Sequence, residues 1–391
     1  MHVATQVATE RPRSKAVSSP SETVRVWLFK TLFTNLCGIT FRDWCQVLRE
    51  NRFAIGPAAW PRTAVLSAGS VLNSYYRNRE EREFGAALAQ VEVKPPLFIL
   101  GHWRSGTTLL HNLLALDVRF AYPNLYQVFF PHTFLCTEDS RTNLVRPLIP
   151  QTRIFDNVAQ GLQMPNEDEF ATCTASLASP YMAWAFPRNE ARYERYLTFR
   201  EAEAKDVARW KDELLRFLKK LTLKYDRPML LKSPPHTARI RLLLELFPDA
   251  RFLHISRDPF TVFQSTKHLN RVLTRSLQFQ QPSAQDQDEI VLRRYKLMYD
   301  AYFDERDLIP EDRLHELRFE DLEHDPIGQI RSAYRSLGLR EFETVLPRLE
   351  EYVASLSNYR KNEYPELPES LRRQIRLRWA RSFDEWEYPS T

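Results

Sequence analysis

Three times along the chain a short apolar run gives way to a loop bearing a cation and then to a helix. Leu97-Phe98-Ile99-Leu100 leads through a loop holding Arg104 to a helix from about Thr107 to Leu116. Met229-Leu230-Leu231 precedes Lys232 and a helix through Leu246, and Arg251-Phe252-Leu253-His254-Ile255 precedes Arg257 and a helix from Pro259 to about Leu269. Strands this short and apolar, alternating with helices, are buried on both faces. They predict a parallel sheet with right-handed crossovers, a three-layer α/β fold with helices flanking a central sheet. A further strand is expected at His315–Phe319.

Around this core the 391 residues divide by composition. Residues 1–22 are polar and rich in Ser and Pro and are expected to form a disordered lead-in, and 23–94 carry apolar residues at helical spacing, a predicted N-terminal helical cap broken at Gly56-Pro57. The stripe Leu72, Tyr75, Tyr76 and Arg79 in this cap is read as facing a core, the usual place for such stripes, rather than a membrane. The α/β domain is assigned to 95–340, with an aromatic-rich helical insertion at 117–227 on the acceptor side and a helical tail at 341–391.

No run approaches the ~18–20 apolar residues of a spanning helix, and Val24–Thr34 is interrupted by Arg25 and Lys30. The expectation is a cytoplasmic protein, with peripheral membrane contact as the alternative. Cys37, Cys45, Cys136 and Cys173 form no CxxC pair and read as buried thiols in a reducing compartment. The balance of 55 Lys+Arg against 50 Asp+Glu, +5 overall, is too mild to imply nucleic-acid binding. Of those 55 cations 43 are arginine, the residue suited to bidentate recognition of phosphate or sulfate, so their placement matters more than their number.

The loop Gly101-His102-Trp103-Arg104-Ser105-Gly106-Thr107-Thr108 lies between a strand and a helix, where backbone N–H groups and the helix N-terminus attract anions. Its Gly-x-x-x-x-Gly spacing is that of a nucleotide P-loop, but the lysine slot holds Thr107. No acidic residue ends the other strands to hold magnesium. Asp258, ahead of Pro259, reads as a helix N-cap. Ligands of open α/β sheets sit at the carboxyl ends of the strands, and three successive strand ends present Arg104, Lys232 and Arg257. Such a cluster suits a compact polyanion handled without metal. A P-loop kinase lacking its usual lysine, and a non-catalytic protein binding a nucleotide or an acidic lipid, are the alternatives.

These residues carry a resemblance to the sulfotransferases that use 3′-phosphoadenosine 5′-phosphosulfate (PAPS), in the branch with an Arg-Ser-Gly-Thr-Thr loop. The matching stretches are Leu97–Leu114, Lys232-Ser233-Pro234-Pro235-His236, Ala250–Leu269, and Leu317–Leu322 with Asp325-Pro326 and Leu337-Gly338-Leu339. The resemblance implies that Arg104, Ser105, Gly106, Thr107 and Thr108 hold the 5′-phosphosulfate, and that Arg257 and Ser265 contact the 3′-phosphate. It implies that Lys232, with Arg104, neutralises charge as the sulfonate moves, and that PAPS is the only cofactor, with no metal. The family's basic C-terminal segment is faint here, since Arg360-Lys361 lacks the glycine that normally follows.

Transfer then needs a base for an acceptor hydroxyl or amine. Asn166-Glu167-Asp168-Glu169-Phe170 resembles an acidic motif of related enzymes, which makes Glu167 and Glu169 candidates with Asp168 beside them. The same residues also read as a structural helix start, Asn166-x-x-Glu169 being a capping-box spacing. His236 and His102 are further candidates. The acceptor is expected to be a small molecule, lipid or glycan, with an apolar or lipid-like one favoured by the aromatics at 120–186. Basic Arg372–Arg381 reads as a solvated helix face, or else a surface for a membrane or acidic acceptor.

Overall fold

A computed structural model describes Val24, Leu28, Phe29, residues 34–153, Asp156, Val158, and residues 160–282, 286–356 and 364–389. The expected lead-in at 1–22 and Arg360-Lys361 lie outside them. Parallel pairing organises one part of the chain: β1 (Leu97–Leu100), β2 (Leu230–Lys232), β3 (Arg251–Ser256) and β4 (Leu314–Arg318) form a sheet in the order β2-β1-β3-β4. All four residues of β1 are buried, as a strand covered on both faces requires. Phe98 stacks on Phe252 of β3, centroids 5.5 Å apart, and tilts against Phe247 at 6.1 Å. The α/β class with a central parallel sheet is therefore as the sequence predicts.

Two strands differ from expectation by one residue. Lys232 belongs to β2, opposite Ile99, and Phe319 leaves β4 to open the helix Phe319–His324. The helices after β1 and β3 run over Thr107–Leu114 and Pro259–Leu277. The sheet belongs to a compact unit made of Pro95–Phe120, Leu230–Asn270 and Ala284–Thr391. Its tail packs through Trp379, whose ring stacks on Tyr295 at 3.6 Å while Nε1 donates to the Leu292 carbonyl at 2.9 Å. The basic stretch at 372–381 is laced with acids: Arg376 pairs with Glu369, Arg378 with Glu289 and Arg381 with Asp304.

A second unit is drawn from Met1–Lys94, Ala121–Met229 and Arg271–Ser283, and its described secondary structure is helical. Helix Ala204–Tyr225 turns Trp210, Leu214, Phe217, Leu218 and Leu221 inward, with Phe217 edge-on to Phe134 at 5.9 Å. Most of the aromatics of the insertion are core, among them Tyr126, Phe134, Tyr181, Trp184 and Phe186.

The long helix Trp60–Gln90 reverses one expectation. Leu72 and Tyr75, assigned by spacing to a core, are exposed, and the buried positions are Leu66, Ser70, Asn73, Glu80 and Leu88. The reason is that the polar members of the inner face have partners. Asn73 donates to the Cys37 and Ile39 carbonyls at 2.8 and 3.0 Å, and Glu80 lies 2.6 Å from the Lys220 ammonium. The expectation of four buried thiols is also corrected, since only Cys173 is buried and the other three are partly exposed.

Burial lowers the pKa of Lys220, and the Glu80 carboxylate opposes that shift; Lys220 also donates to the Pro131 carbonyl at 2.9 Å. Removing one partner of such a pair strands a buried charge, at a cost of ~3–5 kcal/mol, whereas replacing both with apolar residues costs far less. Lys220→Met should therefore lower the urea midpoint sharply. The double variant Glu80→Leu with Lys220→Met should recover much of the loss in the same equilibrium unfolding measurement.

Candidate functional site

The loop after β1 takes positive φ at three positions. Gly101 (φ 144°) and Gly106 (φ 96°) adopt left-handed or nearby conformations, and Arg104 does so at φ 73° although it carries a side chain. A Cβ on Gly101 would meet the Ile255 carbonyl oxygen at 2.7 Å, and one on Gly106 would meet the Phe319 ring at 2.2 Å. Within the loop the Ser105 amide and hydroxyl both donate to the His102 carbonyl, at 3.2 and 2.7 Å. Ser105 thus stabilises the turn itself. The first amides of helix Thr107–Leu114 lack intrahelical acceptors, as at any helix start, and lie at the end of the loop.

Neighbouring strands deliver the cations. Arg104 Nε donates to Ser265 Oγ at 2.8 Å, and the Arg257 guanidinium donates to the Arg104 carbonyl at 3.0 Å. Arg257 also stacks over the Phe319 ring at 4.1 Å. Burial lowers its pKa, with Glu320 opposing, and arginine's high starting value keeps it charged at neutral pH. Lys232 ends β2, the other neighbour of β1, with its side chain buried. Asp258 accepts the Thr261 amide and hydroxyl, both at 2.7 Å, the N-cap geometry expected of it.

Several supporting residues had no distinctive signal in the sequence. Thr237 Oγ1 accepts the Gly101 amide at 2.8 Å and so ties the segment after Lys232 to the loop after β1. Tyr299 accepts the His102 amide at 3.1 Å, and Tyr364 lies 3.2 Å from Ser265 Oγ, hydroxyl to hydroxyl. A cleft of about 410 Å³ adjoins this point, lined by Asp258, Thr261 and Gln264 on one side and Tyr364, Glu366 and Arg372 on the other. Phe319 could have been suspected from its place directly after a strand. Thr237, Tyr299 and Tyr364 are distant in sequence and carry no motif.

Of the candidate bases, His102 is buried with Nδ1 2.9 Å from the Trp103 carbonyl, which requires Nδ1 to carry the proton. Burial pulls its pKa down to about 3, so it is neutral at ordinary pH. His236 is buried edge-on against Phe98, at 5.3 Å.

Glu167, Asp168 and Glu169 lie in the helical unit. The capping-box alternative does not form: helix Glu169–Ser176 starts after Asp168 without a side-chain cap, and Asn166 Oδ1 accepts the Glu167 amide instead. Glu169 is buried and accepts from Ser179 Oγ at 2.6 Å, while half-buried Glu167 accepts from the Tyr181 hydroxyl. The Tyr181 ring lies between Phe170 and Trp184, at 5.0 and 4.3 Å, so an aromatic wall adjoins a carboxylate. Among the described residues no His, Cys, Asp and Glu gather into a group that could hold a metal.

Residues 95–344 match the model of the Sulfotransferase family. Over 352 residues the chain is 38% identical to the omega-hydroxy-beta-dihydromenaquinone-9 sulfotransferase Stf3 of Mycobacterium bovis and to that of Mycobacterium tuberculosis, covering 90% of this chain and 90% of each relative. The solved structure of sulfotransferase STF9 from Mycobacterium avium shares the fold, with a TM-score of 0.67 at 18% identity over 96% of this chain and 99% of that one. With three cations at neighbouring strand ends and a family match spanning the whole sheet, the chain belongs to the sulfotransferase family and is a sulfotransferase.

Proposed function

We propose that this sulfotransferase moves the sulfonate group of PAPS to a hydroxyl of an apolar, lipid-like acceptor. The observation that carries the donor half is the linkage of Arg257, Arg104 and Ser265 across the ends of β1 and β3, with Lys232 on the next strand. That set presents three cations and a helix N-terminus to one polyanion, a donor chemistry that fits PAPS. The acceptor half rests on two supports: the lipid-like alcohol named for the Mycobacterium relatives, and the aromatic wall of Phe170, Tyr181 and Trp184 beside Glu167.

Bound PAPS supplies an activated sulfonate and leaves as adenosine 3′,5′-bisphosphate. The amides of Gly106, Thr107 and Thr108 and the two threonine hydroxyls hold the 5′-phosphate, with Ser105 keeping the turn in shape. Arg257 and Ser265 take the 3′-phosphate. Arg104 and Lys232 neutralise the charge that shifts to the leaving group as the S–O bond breaks, the electrostatic share of catalysis. The acceptor proton passes to a carboxylate of the acidic segment. Glu167 is preferred over Glu169, because Glu169 and its Ser179 contact are buried while Glu167 is partly open.

By isothermal titration, adenosine 3′,5′-bisphosphate should bind without added metal at least ~10-fold more tightly than 5′-AMP, the gain from one charge-assisted contact set. Arg257→Ala should erase the difference. Equal affinities in the unsubstituted protein, or binding that needs magnesium, would overturn the donor assignment.

Single-turnover transfer should separate the bases. Glu167→Gln should slow transfer ~10²-fold or more with bisphosphate affinity intact, and Glu169→Gln and His236→Ala should slow it less. If another of the three shows the large loss, the base is that residue, and if none does, the base lies outside this set.

A further inference from the structure

The outward face of helix Trp60–Gln90 has no role in the chemistry above. From Trp60 to Tyr75, about 24 Å of helix at the usual rise, its exposed positions are uncharged and almost wholly apolar: Trp60, Ala64, Val65, Ala68, Val71, Leu72 and Tyr75 recur along one side. The polar buried face, with Ser70, Asn73 and Glu80, lies opposite. This inverts the arrangement of an ordinary surface helix.

Two further exposed aromatics lie on the segments that precede this helix. The Phe41 amide donates to Ser74 Oγ at 2.9 Å, which ties the backbone of this exposed residue to the helix. Phe53, just before the helix, is 65% exposed and sits with Arg52 in the left-handed region, at φ 52° and 56°. Holding two consecutive side-chain-bearing residues there is unfavourable, and the result is a bulky ring turned to solvent.

Cations flank the patch. Arg42 and Arg52 are exposed on the segments carrying Phe41 and Phe53, and Arg82 continues the helix face beyond Tyr75. The nearby acids are engaged, Glu83 with Arg79 and Glu81 with Arg216. Exposed Trp, Tyr, Phe and aliphatic residues bordered by arginine are the composition of a surface that lies in the headgroup region of a bilayer. A second copy of the chain on this face would set arginines against arginines, whereas anionic lipid complements them. No helix among the described residues is long and apolar enough to cross a membrane, so contact through this face is in-plane.

We propose that the face formed by Trp60–Tyr75 with Phe41 and Phe53 seats the helical unit on an anionic lipid surface. The proposal rests on the lipid-acceptor reading only for its purpose, since an apolar acceptor resides in such a surface. Each arginine near anionic lipid strengthens binding about fivefold, and the apolar face supplies the remainder.

The test is cosedimentation of the full chain with vesicles of phosphatidylcholine alone or mixed with phosphatidylglycerol. The unsubstituted protein should sediment with the mixed vesicles and far less with neutral ones. Leu72→Glu with Tyr75→Glu, both at exposed positions, should weaken binding at least ~10-fold while adenosine 3′,5′-bisphosphate affinity and transfer to a detergent-dispersed acceptor persist. Absence of vesicle binding, or a double variant that binds like the unsubstituted protein, overturns the proposal. So does a dimer that the double substitution splits while neither form binds vesicles, which assigns the face to a second copy. Loss of transfer to dispersed acceptor in the unsubstituted protein counts instead against the catalytic reading, and so the two failures are distinct.

Discussion

One aromatic ring, that of Phe319, determines how close the loop after β1 comes to the cation opposite it. Gly106 lies so near the ring that a Cβ would overlap it, and Arg257 stacks on the same ring at 4.1 Å while reaching the Arg104 carbonyl. Phe319 holds this place because it directly follows β4, which pairs with β3 in register up to Ser256 opposite Arg318. Sheet register therefore sets the position of the ring, and the ring sets the spacing between the loop and Arg257. A shift of one residue in β4 would displace Phe319 at the start of the following helix and remove both contacts.

The same geometry alters why the loop is built from glycine. Glycine at a phosphate loop is ordinarily explained by the close approach of backbone to ligand. Here the Gly101 Cβ position is closed by the Ile255 carbonyl and that of Gly106 by Phe319, both parts of the protein. The left-handed Arg104 between them is held by its carbonyl contact with Arg257 and its side-chain contact with Ser265. The conformation is thus imposed by contacts within the fold itself.

Family membership settles the alternatives left open by the P-loop spacing. Thr107 in the lysine slot and cations in place of acids at the strand ends distinguish this loop from that of a kinase. The three arginine-rich regions of the chain also differ in kind. Arg104 and Arg257 are gathered at strand ends, Arg376, Arg378 and Arg381 of the tail are paired with acids, and Arg42, Arg52 and Arg82 lie exposed on the segments that carry the apolar face.

How much of this was legible in advance depended on whether the signal was local. The strand-loop-helix units, the parallel sheet, the N-cap at Asp258 and the cations at strand ends follow from apolar runs and adjacent residues, because a buried strand and the loop after it are written contiguously in the chain. The outward turn of Leu72 and Tyr75 was not legible. Apolar spacing identifies a helix face but not what faces it, and Asn73 and Glu80 were free to turn inward only because Cys37, Ile39 and Lys220, distant in sequence, meet them. For the same reason Asn166 and Glu169, spaced for a capping box, take other partners once Ser179 comes within reach. The sequence alone thus determined the fold class and the placing of cations at the strand ends. Tertiary structure decided which polar groups satisfied one another and which apolar surface stayed uncovered, since both depend on contacts between segments that the linear order does not bring together.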